Sequence, residues 1–386
     1  MSAPEQRAGG RVERDDGGPR SPHGRDAGVV PPGDEAAGPS PGAPLAAGPA
    51  CPVPLDRYPT VTLAHGGGGR LSHDLVTDML LAAYGNEELE RLGDGAFLEV
   101  DGGRLAFSTD SFVVTPWAFP GGDIGSLAVH GTVNDLAMCG AVPRALSVGL
   151  ILEEGFRMED LWRVARSVGA AAREADVRVV TGDTKVVDRG KGDGVFINTS
   201  GIGVVPEGVE VGAHRIRPGD AILVSGPIAN HGVAILSLRE GLEFETVLES
   251  DSAPLHGLVA DLRDGLGRDL HALRDPTRGG VASAVVELAR AAGVGMMLEQ
   301  ARIPLDEPVR GACEILGLDP LYVANEGKLL AFVDGSRAEE ARDLLRARPL
   351  GRGAEIIGRV VEDPRRRVVQ RSTIGGTRVV EMLSGE

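Results

Sequence analysis

The sequence predicts a two-domain fold that mixes strands and helices, of α+β or α/β class. Three observations carry that expectation. The chain has 386 residues, 42% hydrophobic and 25% charged, which is enough for a core larger than one small module. From about Tyr58 onward, short runs rich in β-favouring residues alternate with stretches of helical period. A boundary at Ala213–Gly219 then divides residues 56–212 from residues 213–386. Residues 1–55 differ in texture. The first 50 hold 10 Gly and 9 Pro with hardly any apolar period, so burial there cannot offset the entropy of ordering and a disordered tail is expected.

Taken in order, Ala96–Val100 and Arg104–Thr109 flank Asp101-Gly102-Gly103 and read as a hairpin. Asp94 and Asp110 each lie eight residues from Gly102, so antiparallel pairing brings both to one end of that hairpin. The stretch Asp123–Gly140 reads as a helix, with Asp123 at its start and Val129, Val133, Leu136 and Ala137 along one stripe. His130, Asn134 and Asp135 are its polar insertions. Strands are expected at Arg144–Leu152, Val177–Thr181 and Val195–Val205, with an amphipathic helix at Met158–Ala175. In the second half, strands are expected at Ala221–Ser225, Leu329–Val333, Glu355–Val361 and Arg378–Leu383. Helices are expected at Ile228–Glu240, Ala253–Leu266, Gly280–Ala292 and Ser336–Ala347.

Charge and composition narrow the function. With 40 Lys+Arg against 56 Asp+Glu the net charge is −16, which argues against a nucleic-acid-binding surface. The longest apolar stretch, around Ala145–Leu152, is far too short to span a membrane, and no basic-then-apolar leader opens the chain. A cytoplasmic protein is expected. Cys51, Cys139 and Cys313 form no CxxC pair, so neither a disulfide framework nor a thiolate zinc site is supported. His130, His231, Cys139 and Cys313 read as core or surface residues. The 56 glycines and 3% aromatics point to backbone-lined ligand sites.

Four segments carry candidate chemistry. Gly66-Gly67-Gly68-Gly69, followed by Arg70, offers backbone N–H groups to phosphate oxygens, although a flexible linker has the same composition. Gly182-Asp183-Thr184-Lys185 follows the strand at Val177–Val180, at the kind of strand end where ligands collect. In a chain with 37 Arg and 3 Lys, Lys185 suggests a need for an ammonium; the alternative is an exposed turn. Arg274-Asp275-Pro276-Thr277-Arg278-Gly279-Gly280 precedes a helix, where free N–H groups attract phosphate and Thr277 could equally be a plain N-cap. Asn325-Glu326-Gly327-Lys328 sets a carboxylate beside another lysine at a strand start, suited to proton transfer if desolvated. Asp94, Asp110, Asp135, Asp183 and Asp275 all sit by turns, helix starts or strand ends. Such carboxylates suggest Mg²⁺ holding a triphosphate.

Longer motifs add a resemblance. Ser108–Pro116, Phe119–Gly125, Val129–Met138, Gly182–Val187, Ser225-Gly226 with His231-Gly232, Arg274–Gly280 and Ala324–Lys328 resemble the HypE family of hydrogenase maturation factors, carbamoyl dehydratases of the aminoimidazole ribonucleotide synthetase (PurM-like) superfamily. The resemblance covers about residues 60–386. It implies an α+β fold of two PurM-like domains, with an N-terminal mixed sheet joining two subunits in a homodimer and a C-terminal α/β sandwich. It implies Asp94, Asp110, Asp135 and Asp275 as the magnesium and triphosphate set. Gly66, Gly67, Gly68 and Gly69 would close over ATP, with Asn134, Asp183, Thr184, Thr277, Gly279 and Gly280 also contacting the nucleotide. Lys185 and Glu326 are the proton-transfer candidates. The implied reaction is ATP-dependent dehydration of an S-carboxamide on a C-terminal cysteine to a thiocyanate, with carbamoyl supplied by the carbamoyltransferase HypF and cyanide passed to the HypC–HypD iron scaffold. Family members end in Pro-Arg-Ile-Cys after a Gly-Glu, whereas this sequence reads Leu383-Ser384-Gly385-Glu386, so a truncated chain is expected. Selenide water dikinase, thiamine monophosphate kinase and a non-catalytic ATP-binding scaffold are the alternatives.

Overall fold

The computed structural model describes residues 60–241 and 248–383. The expected disordered tail, with Cys51, and the last three residues lie outside the described residues. The described chain opens on a helical stretch that the apolar pattern does not announce: α1 (Arg70–Asp74), a π-helical turn at Leu75–Leu80 and α2 (Leu81–Tyr84).

The expected hairpin forms from β1 (Ala96–Val100) and β2 (Gly103–Phe112), with Val100 paired to Gly103 and Gly102 at φ 93°, which glycine adopts without steric cost. A small ribbon of β3 (Ala118–Phe119) and β4 (Gly122–Asp123) leads into α3 (Ile124–Met138). Asp123 caps that helix, accepting from Gly125 N at 2.8 Å and Ser126 N at 3.0 Å. Then come β5 (Val142–Glu153), α4 (Met158–Glu174), β6 (Arg178–Val187) and β7 (Val195–Val205). The sheet order is β1-β2-β7-β5-β6, with every pair antiparallel except β5 and β6. Its inner face rests on α3 and α4. Small residues set that closeness: a Cβ on Gly125 would lie 2.6 Å from Val164 O of α4, and one on Gly131 2.7 Å from the Phe112 ring.

The second half is a seven-stranded sheet covered on both faces. Its elements are β8 (Ala221–Val224), α5 (Asn230–Arg239), α6 (His256–Leu266), β9 (Leu270–Arg274), α7 (Gly280–Ala292), β10 (Gly295–Glu299), α8 (Glu307–Leu316), β11 (Leu330–Val333), α9 (Ala338–Arg346), β12 (Glu355–Val361), β13 (Val368–Arg371) and β14 (Thr377–Val380). The order is β14-β13-β10-β12-β8-β11-β9. Alternation explains the two cores: Ile222 and Val224 of β8 pack with α7 and α8, while Ala221 and Leu223 pack with α6 and α9. Strands β9, β10 and β13 and helix α8 have no counterpart among the expected elements; the mostly buried runs of β9 and β10 carry no distinct period. Ala137 and Met138 of α3 belong to the same core as Leu255 and Leu258, so the first half's central helix ends inside the second half's packing.

Candidate active site

Four of the aspartates come from separate elements. Asp94 precedes β1, Asp110 lies on β2, Asp135 on α3, and Asp275 directly follows the edge strand β9. The hairpin register, Ala96 opposite Phe107, extended to Asp94 sets it opposite Thr109, next to Asp110, so both occupy one end as expected. Ser108 Oγ ties two of these elements together, reaching Asp94 O at 2.9 Å and Asp135 Oδ2 at 2.7 Å. Burial lifts the carboxyl pKa of all four. Asp94 rises to about 6, restrained by Arg274, and Asp275 to about 8, lifted further by Asp94. Asp135 stands well above the usual range through burial and its neighbours Asp275 and Asp94, and Asp110 is raised against the pull of Arg278. Glu326, half-buried, is pushed up to about 8 by burial and then by Asp275 and Asp110. The structure therefore gathers Glu326 with aspartates as far as Asp110, more than two hundred residues earlier in the sequence.

Beside this cluster lies a cavity of about 310 Å³, lined by Gly66 and Gly68 on one wall and by Asp275, Thr277, Gly280 and Ser283 on the other. Gly68 needs its positive φ of 73°, and a Cβ there would lie 2.8 Å from Arg278 Cβ, so the glycine loop closes on the start of α7. Arg278 Nη1 donates to Gly66 O at 3.3 Å. Gly280 is required on the same two grounds: its φ is 63°, and a Cβ would sit 2.4 Å from Leu321 O. Gly67 and Gly69 do not line the cavity; Gly69 is the N-cap of α1. Thr277 is not an N-cap either, because α7 begins after Gly279; it lines the cavity. Ser283 Oγ is buried without a hydrogen-bond partner in a wall that also holds Asp275, Glu287 and the guanidinium groups of Arg274 and Arg278.

Partners that sequence reasoning missed, Glu287 and Asp251 among them, hold several of its motif residues in place. Arg274 reaches Asp94 at 3.0 Å and Glu287 at 2.6 Å, so Glu287 fixes the guanidinium that restrains Asp94. Lys328 is buried in an ion pair with Asp251 and donates to Gly327 O at 3.0 Å. Asn325 is fully buried, accepting from Ala229 N at 2.7 Å and donating to Pro276 O at 2.9 Å and Val323 O at 3.0 Å. The local sequence carries no sign of these partners. His130 and His231 are core residues bonded to Ser252 and Ser250, with burial lowering each to about 4. Cys139 and Cys313 are buried, and burial raises both thiols.

Two expectations need correction. Asn134 is committed to the backbone of the second half, accepting from Leu255 N at 2.7 Å and donating to Ala253 O at 3.1 Å, so its amide joins the halves. The Gly182–Lys185 segment is no turn at a strand end. It continues β6 to Val187, paired with β5, and Gly182 lets the strands approach: a Cβ would fall 2.2 Å from Val148 O. Asp183, Thr184 and Lys185 are exposed on this edge strand, and the ammonium of Lys185 pairs with Asp183 at 3.0 Å rather than with the buried carboxylates.

Oxygen-only donors at raised pKa are what a hard divalent cation satisfies. Among the described residues no three His, Cys, Asp or Glu side chains close on a single point.

A glycine-closed cavity beside one buried and three partly buried aspartates, on a five-stranded mixed sheet joined to a covered seven-stranded one, defines an AIR synthase related protein: the N-terminal domain model of that family matches residues 92–205 and the C-terminal domain model residues 217–371. Within it, the chain belongs to the HypE family of carbamoyl dehydratase enzymes, which are hydrogenase maturation proteins. It is 56% identical over 330 residues to Carbamoyl dehydratase HypE of Azotobacter vinelandii, covering 86% of this chain and 96% of the relative. The Escherichia coli strain K12 enzyme of the same name is 48% identical over 307 residues, 78% and 91% of the two chains. A crystal structure of the hydrogenase maturation protein HypE in complex with ATP superposes with a TM-score of 0.72 at 49% identity, covering 84% of this chain and 98% of that one. A HypE–HypF complex gives 0.76 at 44% identity, covering 81% and 100%. Among the described residues no helix is long and apolar enough to cross a membrane.

Proposed function

We propose that the chain catalyses ATP-dependent dehydration of an S-carboxamide, carried on a C-terminal cysteine, to the S-cyanate that supplies the cyanide ligand of the NiFe hydrogenase iron. The observation that supports this most is Glu326, held near pKa 8 among Asp275 and Asp110 beside the cavity formed by Gly66, Gly68 and Thr277. The ATP-bound relative supports the cavity as the triphosphate site.

The carboxamide oxygen attacks the γ-phosphorus, ADP leaves, and an O-phosphorylated imidate forms with loss of one N–H proton. A second N–H proton is then removed while the C–O bond breaks, releasing phosphate and leaving the nitrile. A carboxylate poised near the operating pH suits such proton removal, and Glu326 takes that role. Backbone N–H groups of the glycine loop and of the start of α7 orient the phosphates. Asp94, Asp110, Asp135 and Asp275 would hold Mg²⁺, which when bound neutralises triphosphate charge.

Lys185 is the second proton-transfer candidate, with Asp183 and Thr184 beside it. They sit at the edge of a sheet whose outer face exposes Leu98, Phe107, Val180, Ile202 and Val204. That apolar face supports a homodimer, with Lys185 at the junction. Cytoplasmic location, carbamoyl supply by HypF and transfer to the HypC–HypD scaffold complete the proposal. The HypE–HypF complex supports the HypF step.

Cys139 and Cys313 are buried and unfit as acceptors. The test uses the chain bearing a C-terminal Pro-Arg-Ile-Cys, carbamoylated with HypF and given ATP and Mg²⁺. Intact mass is expected to fall by one water with release of ADP and phosphate. A carbamoyl adduct that persists through ATP consumption refutes the reading, and nucleotide binding with no hydrolysis favours a scaffold.

A further inference from the structure

A second cavity, of about 390 Å³, lies apart from the first, and five arginines line it: Arg70, Arg290, Arg365, Arg366 and Arg367. In a chain of net charge −16 this concentration of positive charge is local, carried by five exposed arginines over one concavity. Asp363 organises the turn that presents three of them. Its carboxylate accepts from Arg365 N at 2.9 Å and from Arg367 Nε at 2.8 Å, and its carbonyl accepts from Arg366 N at 2.8 Å. Arg366 takes φ 53°, a left-handed backbone that a non-glycine residue holds only under constraint. Among the described residues Arg70, Arg290, Arg365 and Arg366 have no carboxylate at ion-pair distance; Arg290 instead rests on Met382 Sδ at 3.3 Å. Glu381 is the single carboxylate on the cavity wall. The floor is apolar, with Val286 and Val368 buried. Planar guanidinium forks left without counter-charges around a concave pocket match a polyvalent oxyanion better than they match water.

We infer that this cavity is a second anion site, taking a phosphate oxyanion either free or esterified to a small molecule. Its position gives it consequence. Arg70 directly follows the glycine loop, and its backbone N–H donates to Leu383 O at 2.9 Å, so an anion held here clamps the loop's helix to the C-terminal strand segment. It shares no lining residue with the first cavity, whose arginines are Arg274 and Arg278.

The test is calorimetric titration of the full chain with inorganic pyrophosphate at fixed ionic strength, with AMP in a parallel arm as an esterified phosphate. Removing two charge-assisted contacts by Arg290→Gln with Arg366→Gln is expected to weaken pyrophosphate about tenfold or more. Arg278→Gln, at the first cavity, is expected to leave that binding in place. AMP weakened by the same double variant assigns esterified phosphate, and AMP unmoved by it assigns free phosphate; either keeps the site. Arg365→Gln repeats the measurement should the double variant lose its circular dichroism. The inference is overturned if pyrophosphate does not bind the unmutated chain, or if Arg278→Gln abolishes binding that the double variant retains.

Discussion

Lys185 and Lys328 each close a short segment that pairs a glycine with a carboxylate, yet the fold gives them opposite surroundings. Lys185 ends Gly182-Asp183-Thr184 on an edge strand, exposed and paired with its exposed neighbour Asp183, whose carboxyl is held below its ordinary value by that hydrogen bond. Lys328 ends Asn325-Glu326-Gly327, buried against Asp251, and the carboxyl two residues before it is raised to about 8. Residue type and spacing are nearly the same; desolvation makes one carboxylate a stable anion and the other a proton carrier. Gly327 shows how tightly the second segment is set, since a Cβ there would lie 1.8 Å from Asp251 O.

The largest effect that tests this contrast is on chemistry. Glu326→Gln is expected to lower dehydration by about 10²–10⁴-fold while ATP binding persists, read by single-turnover assay beside nucleotide titration. Unchanged turnover would remove the buried segment from the reaction. Next comes stability: Lys328→Met leaves Asp251 buried without its counter-charge and is expected to cost about 3–5 kcal/mol in urea unfolding. A loss under about 1 kcal/mol, the range of a surface pair, would make the two lysines alike.

A third measurement uses pH. Asp275 and Glu326, at about 8, and Asp94, at about 6, bind more protons folded than unfolded. Their stabilisation is fully present below the unfolded pKa values near 4 and is lost as pH rises through about 6 to 8. The melting temperature of the metal-free chain should fall across that window, and Mg²⁺ with ATP should restore it most at the upper end. A flat profile would break the picture of a desolvated cluster. The smallest effect belongs to the exposed segment, where Asp183→Asn should leave the melting temperature of the isolated chain unmoved.

Asp94, Asp275 and Glu326 were legible in the sequence because each lies in a turn or beside a strand end, whereas Asp110 sits within β2 and Asp135 within α3, where the resemblance singled them out. Their partners were not. Glu287, Asp251, Ser108 and Ser283 look like ordinary helix, loop or strand residues until folding sets them against Arg274, Lys328, Asp135 and the glycine loop. Asn134 misled in the opposite direction: a polar residue on an apolar helix suggests a ligand, and here it satisfies the buried backbone at Ala253 and Leu255.

By itself the sequence determined the local structure: the hairpin turn at Gly102, the cap at Asp123, the alternation that gives β8 two faces and the glycines that allow close approach. These depend on backbone sterics and periodicity, which act over a few residues. Only the tertiary structure decided which carboxyls share a buried space, which lysine stays in water and where the arginines of 365–367 meet Arg70 and Arg290. Charge and desolvation act through space, and the distances that set them join residues up to hundreds of positions apart.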